Sequence, residues 1–297
     1  MKLGIIGGSG IATLAGIEDA QPLAITSPYG APSAALLAGR IGGVEVVFLA
    51  RHGQDHRIPP HRINYRANID CLKRAGVTDI LSLSACGSLR EDLLPGTFVL
   101  VDQFIDRTRR QGSFFDEGIV AHVAFAEPTC SRLRADLRAL LEEAAIPFAA
   151  TGTYVAIEGP AFSTRAESRL YRAWGADVIG MTNLPEARLA REAEICYQTV
   201  AMVTDFDAFR DGEAAVDVAA VLEVLHENAR KAGELVAAFA RRVGRRSRPE
   251  PCPAGCDRAL DLAIVTPRNA WDEAAVRRNE AILARLLSPS GTPRMPS

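Results

Sequence analysis

Residues 197–207 read YQTVAMVTDFD, an apolar run of strand character that ends in two carboxylates one residue apart. Successive side chains of an extended segment alternate, so Asp205 and Asp207 leave the end of a buried strand on the same side. Two like charges there call for a proton, a cation or a ligand with hydrogen-bond donors. A nitrogen-rich heterocycle would satisfy them. Two solvated Asp residues capping the next helix would give the same letters.

Outward from this stretch, short β-rich apolar runs alternate with longer amphipathic ones, the pattern of a sheet flanked by helices. Strands are expected near Leu3 to Ile6, Val44 to Ala50, Ile80 to Ser84, Thr97 to Val101, Thr153 to Ile157, Asp177 to Gly180 and Thr199 to Thr204. Helices fit Tyr65 to Arg74, Ser131 to Ala144, Ser163 to Trp174, Pro185 to Ala193, Val216 to Arg242 and Asp272 to Leu287. Pro185 suits a first helical turn, and Gly76 and Gly175 stand where helices stop. The fold class is therefore α/β. One large domain over residues 1–243 is expected. At Gly244 to Gly255, GRRSRPEPCPAG reads as a linker to a C-terminal helical appendage packing on the same domain.

The 297 residues carry 24% charged and 48% hydrophobic side chains and a net charge of −2, so no global field recruits nucleic acid or an anionic membrane. No apolar run reaches membrane-span length, and the N-terminus opens on KLGIIGG rather than on a leader-like segment, which predicts a cytoplasmic protein. The six cysteines form no C-x-x-C pairs. Cys71, Cys86, Cys130 and Cys196 sit in apolar surroundings, which predicts buried thiols and no structural zinc.

Nearly every expected strand finishes in a small or ionisable cluster, and in open α/β sheets ligands bind at the carboxyl ends of strands. Gly7-Gly8-Ser9-Gly10 offers backbone N–H groups and a hydroxyl to an anion, or is simply a tight turn. It lacks the full dinucleotide spacing and the later acidic residue, so a nicotinamide cofactor and a dehydrogenase are disfavoured. In RHGQDHRIPPHR (residues 51–62), His52 and His56 have the i, i+4 spacing of a zinc helix, but Gly53 and Pro59-Pro60 argue against a helix and hence against metal. A loop presenting Arg51, as a bidentate fork, and His52 to an oxyanion fits better, with a solvated basic loop as the alternative. Ser84 and the Ala85 amide add anion donors. Cys86 reads as packing, since SACGS is not a nucleophile elbow. Thr182 stands before a helix, where its hydroxyl caps or meets a ligand.

GIIGGSG, ARHGQDH, NYRANI, SACGSLREDLLPG, DQFIDRT, IEGPAFSTRAES, WGADVIGMTNLPEARLAREAEICY and TDFD together resemble the purine nucleoside phosphorylase and methylthioadenosine phosphorylase family, most closely its methylthioadenosine branch. The resemblance spans about Lys2 to Arg242. It implies a central mixed, partly barrel-like sheet, a homotrimer or dimer of trimers, and phosphorolysis of a purine nucleoside without metal or organic cofactor, inorganic phosphate being the co-substrate. Carried over residue by residue, phosphate would meet Ser9, Arg51, His52, Ser84, Ala85 and Thr182. Met181 would meet the ribose, Phe162 and Ser163 the purine, and Val218 and Val221 a 5'-methylthio group. Asp205 would face N7 and Asp207 the 6-amino side.

A carboxylate accepting from an exocyclic amine favours adenine over a 6-oxopurine, whose acceptor it would repel. A phosphorylase of 6-oxopurine nucleosides and a non-catalytic nucleoside-binding protein are the alternatives. As a general acid Asp205 needs a pKa raised by burial and by Asp207. The segment Cys256 to Thr266 resembles the tails of archaeal members of the family. That resemblance implies that Cys130 and Cys196 lie close enough to be bridged, although free thiols are the default in a cytoplasm; Cys252 and Cys256 are a further pair in the tail, bridged or free.

Overall fold

The computed structural model describes residues 1–11, 16–210 and 218–288, with residues 218–221 described by backbone alone. Eleven strands form one mixed sheet: β1 (Leu3–Gly7), β2 (Glu18–Leu23), β3 (Leu36–Ile41), β4 (Val44–Ala50), β5 (Asp79–Ser88), β6 (Phe98–Leu100), β7 (Gln103–Arg107), β8 (Phe148–Ala149), β9 (Thr153–Ile157), β10 (Val178–Gly180) and β11 (Cys196–Phe206). The helices are α1 (Tyr65–Arg74), α2 (Ser131–Glu143), α3 (Arg165–Ala173), α4 (Asn183–Glu192), α5 (Val218–Gly244), α6 (Glu273–Arg278) and α7 (Glu280–Leu287).

Alternation along the central strands separates two apolar layers. Leu3 and Ile5 of β1 and Val46 and Phe48 of β4 face the side covered by α2 and α5. Ile6, Val47 and Leu49 face the side covered by α1, α4 and α7. Strand order runs β2-β3-β4-β1-β5-β10-β9-β7, while β11 pairs β5 and β6, so the sheet branches at β5. Along one edge β5 pairs β1 through Ser82 and then β10 from Gly87 onward, leaving Leu83 to Cys86 without a strand on that side. On the other edge β11 pairs β5 along its whole length. This branching curls the sheet and opens a cleft at its centre. It also corrects the expectation that the third strand stops at Ser84: SACGS lies inside the longer β5.

The C-terminal segment shares the main core, with Leu260, Ile282, Leu283 and Leu286 joining the layer beneath α1. The single helix expected over 272–287 is two, α6 and α7. The break is at the fully buried Asn279, which donates to Phe114 O (3.0 Å) and accepts from the Tyr29 hydroxyl. The expected helix start at Val216 lies outside the described residues. Among the linker's arginines, Arg246 pairs with Asp136, and Arg248 with Asp79 and Asp257. Among the described residues no helix is long and apolar enough to cross a membrane.

Leu283 is 0% exposed and Leu287, one turn on, is 39% exposed. Leu283→Ala should therefore lower unfolding free energy by about 2–5 kcal/mol and Leu287→Ala by at most about 0.5 kcal/mol. Equal, small effects in denaturant titration would show that the tail rests loosely on the domain.

Candidate active site

A cavity of about 790 Å³ opens where β5 changes neighbours. Ser9, Arg51, His52, Ser84, Ala85, Phe162, Ser163, Met181, Thr182, Asp205 and Asp207 all line it. The side chains of Val218 and Val221 lie outside the described residues. Further down α5, Leu222, Leu225 and His226 line the cavity at i, i+3 and i+4 spacing. The resemblance assigned Val218 and Val221, and continuing along α5 at i+4 and i+7 from Val218 reaches Leu222 and Leu225.

At one end sit hydroxyl and imidazole groups. Thr182 precedes α4 but makes no capping bond, and its Oγ1 instead lies 3.2 Å from Ser84 Oγ. The buried Tyr154 hydroxyl supports both, accepting from the Thr182 amide and lying 3.4 Å from Ser84 Oγ. Gly180 is required by this ring, since a Cβ there would run into the Tyr154 hydroxyl. His52 Nδ1 donates to Ile58 O (2.9 Å), and burial first, then the Arg51 charge, pushes the ring's pKa down to about 3. The imidazole is therefore neutral, with Nε2 free to accept. His56, expected to share neither a helix nor a metal with it, lies in a 3-10 turn and stacks on it at 4.1 Å.

Arg51 departs from its expected role as a bidentate phosphate fork. Its Nε and Nη2 donate to the two carboxylate oxygens of Glu186 (2.7 and 2.9 Å), Nη2 also to Ser82 Oγ (2.6 Å) and Nη1 to Leu83 O (2.9 Å). Four of the five N–H groups are thus engaged, and the side chain lies fully buried behind the cavity wall. Sequence reading missed Glu186 because nothing in NLPEARLARE distinguishes it from a surface helix residue.

At the other end are the two carboxylates. β11 is bulged between Val203 and Asp205, and the buried Asn228 of α5 donates to Val203 O (2.9 Å) at that point. A bulge re-aims the side chains that follow it. Burial raises the Asp205 pKa to about 6, the Asp207 charge adding and the Thr204 hydroxyl, 2.6 Å from Oδ1, opposing. Asp207 is likewise raised by burial, and its Oδ2 has no hydrogen-bond partner. Ser163 Oγ is also buried without one. The Ser168 and Ser163 hydroxyls act on Asp207 electrostatically, opposing its rise, without a well-formed hydrogen bond, so Asp207 Oδ2 and Ser163 Oγ keep hydrogen-bonding capacity at the cavity wall. Phe162 stands at the mouth, 70% exposed. Arg110 ties the two loops that carry these residues, donating to Glu158 O and Met181 O (both 2.7 Å).

Arg51→Ala would strand Glu186 as an unpaired buried charge. It should cost about 3–5 kcal/mol in unfolding free energy rather than weaken phosphate binding alone, as chemical denaturation of the variant can check.

Residues 2–241 match the family model of the Phosphorylase superfamily. The chain is 56% identical over 286 residues to the S-methyl-5'-thioadenosine phosphorylase of Bradyrhizobium diazoefficiens, covering 96% of this chain and 98% of that one. It is 52% identical to the enzyme of the same name from Rhodospirillum rubrum, covering 96% and 97%. A methylthioadenosine phosphorylase from an antarctic soil metagenomic library superposes with a TM-score of 0.88 at 43% identity, covering 95% and 98%. A mutant of the Schistosoma mansoni adenosine/methylthioadenosine phosphorylase in complex with methylthioadenosine superposes at 0.80 with 36% identity, covering 88% and 98%. The chain belongs to the phosphorylase superfamily, within its methylthioadenosine phosphorylase group.

Proposed function

We propose that the protein cleaves 5'-methylthioadenosine with inorganic phosphate, giving adenine and 5-methylthioribose 1-phosphate, and uses no metal or organic cofactor at the reaction centre. The carrying observation is the pair of carboxyls at the end of β11, Asp207 buried and Asp205 partly so, both with raised pKa values, lining one cavity with a cluster of neutral hydroxyl and imidazole groups. Breaking the bond between C1' and the base leaves a cationic ribosyl centre and an electron-rich purine. Asp205, protonated, supplies the proton to N7. Asp207 accepts from the 6-amino group, which a 6-oxopurine lacks. Ser9, Ser84 and Thr182 offer hydroxyls to phosphate, and the bare Nε2 of His52 accepts from the hydroxyl of hydrogen phosphate. The phosphate approaches the sugar from the side opposite the base and is both nucleophile and counter-charge. Leu222 and Leu225 suit the apolar 5'-substituent.

A trimeric assembly is part of the same reading, supported by the exposed apolar side chains of Phe162, Leu170 and Trp174 in one segment. Cytoplasmic residence is supported by six cysteines that are all unbridged.

The test is adenine release from methylthioadenosine with and without phosphate. Asp205→Asn should lower it about 10²- to 10⁴-fold. Because the acid must be protonated to act, kcat/KM at saturating phosphate should fall as pH rises through about 6, and the variant should lack that limb. Turnover that is independent of phosphate, or a variant of near-normal rate, would overturn the proposal. Thr182→Val should mainly raise the KM for phosphate.

A further inference from the structure

Far from the cavity, at the opposite end of β11, four cysteines meet. Cys130 precedes α2, Cys196 is the first residue of β11, and Cys252 and Cys256 come from the segment after α5. Their Sγ atoms all lie within 4.8 Å of one another, and all four residues are 0–3% exposed. It is the one such group of metal-ligand side chains among the described residues. Spacing alone predicts no zinc site, because the members come from places 66 and 56 residues apart in sequence; the fold brings them together.

We propose that Cys130, Cys196, Cys252 and Cys256 hold a tetrahedral divalent metal ion of zinc type. Four thiolates about 2.3 Å from one metal stand about 3.8 Å from each other. The sulfurs of Cys130 and Cys252 are 3.8 Å apart. A disulfide needs about 2.05 Å, and all four thiols are free. Cys252 and Cys256 form a C-x₃-C pair, within the spacing of structural zinc loops, and the Gly255 amide closes the turn onto Cys252 O (2.8 Å).

The surroundings suit a metal–tetrathiolate group of net negative charge. Arg248 Nη2 donates to Cys196 Sγ (3.4 Å), and its other nitrogens are fixed by Asp79 and Asp257. Arg132 is fixed by Asp79 as well. Such outer groups orient ligands and offset their charge.

The role follows from position. All four ligands come from the chain and are buried, so no coordination position is open for substrate. Cys196 stands nine residues from Asp205, about 30 Å along the strand. The ion would fasten the segment after α5 to the foot of β5, β11 and α2.

The experiment is metal analysis of untagged full-length protein purified under reducing conditions, with thiol counting after denaturation. The expected result is about one equivalent of zinc per chain, exchange with cobalt(II) to give thiolate-to-cobalt charge-transfer absorption, and a lower melting temperature after chelation. Cys256→Ser should bind the metal at least about 10-fold more weakly while keeping phosphorolysis of methylthioadenosine. The proposal is overturned if the wild-type protein carries no metal and, once reduced, takes up neither zinc nor cobalt, or if the four cysteines are found as two disulfides. If the variant fails to fold, the wild-type stoichiometry and the cobalt spectrum decide.

Discussion

Arg51 and Glu186 form an ion pair with essentially no solvent contact, and the site's geometry hangs on it. Glu186 also accepts from the hydroxyls of Ser82 and Tyr197, and the Arg51 amide donates to Gly7 O. The ends of β1 and β4, the middle of β5, the start of α4 and the body of β11 are thereby locked together. A buried pair contributes little net stability against an apolar substitute, yet losing one partner is expensive, so its value lies in fixing one arrangement. Gly8 shows how tight that arrangement is: a Cβ there would lie 2.5 Å from Leu83 O and 2.8 Å from Arg51 Nη1.

The pair also sets the site's electrostatics. Neutralised by Glu186, Arg51 is not a free cation for anions, yet its charge still helps keep His52 neutral. An oxyanion in the proposed site would then be recognised by hydroxyls, amides and an imidazole acceptor. Such neutral donors distinguish by geometry and protonation state, where an exposed arginine would attract any anion.

What the sequence made legible follows from how directly each feature depends on local pattern. β1, β4 and β9 were readable as short apolar runs buried almost throughout, and α1 because Tyr65, Ile69 and Leu72 keep helical spacing. The line of small and ionisable residues after strands identified the cavity lining, since a buried sheet offers few other reasons for such residues. β2, β3, β7 and β8 were missed: EDAQPL of β2 is exposed almost throughout and shows no alternation, as an edge strand permits, and β8 is only two residues long. Glu186 was missed for a different reason: its meaning lies in a partner 135 residues away, which no local pattern encodes. The nearness of Cys130 and Cys196 was expected only through the resemblance, and the meeting of that pair with Cys252 and Cys256 was not foreseen.

β11 joins both ends of this logic. Its carboxyl end carries Asp207 Oδ2 without a well-formed hydrogen bond, a cost in stability that a bound donor would relieve. The pKa of Asp205 is raised chiefly because water is kept out, so it persists only while the strand stays in place. Any opening of β11 would rehydrate the carboxyl and return it toward the ordinary range, where it is ionised at neutral pH and has no proton to give. The strand's pairing with β5 and the anchoring of Cys196 at its foot therefore do more than hold the fold together. By keeping β11 shut, they hold the Asp205 carboxyl, from a distance, in the protonation state that the proposed reaction requires.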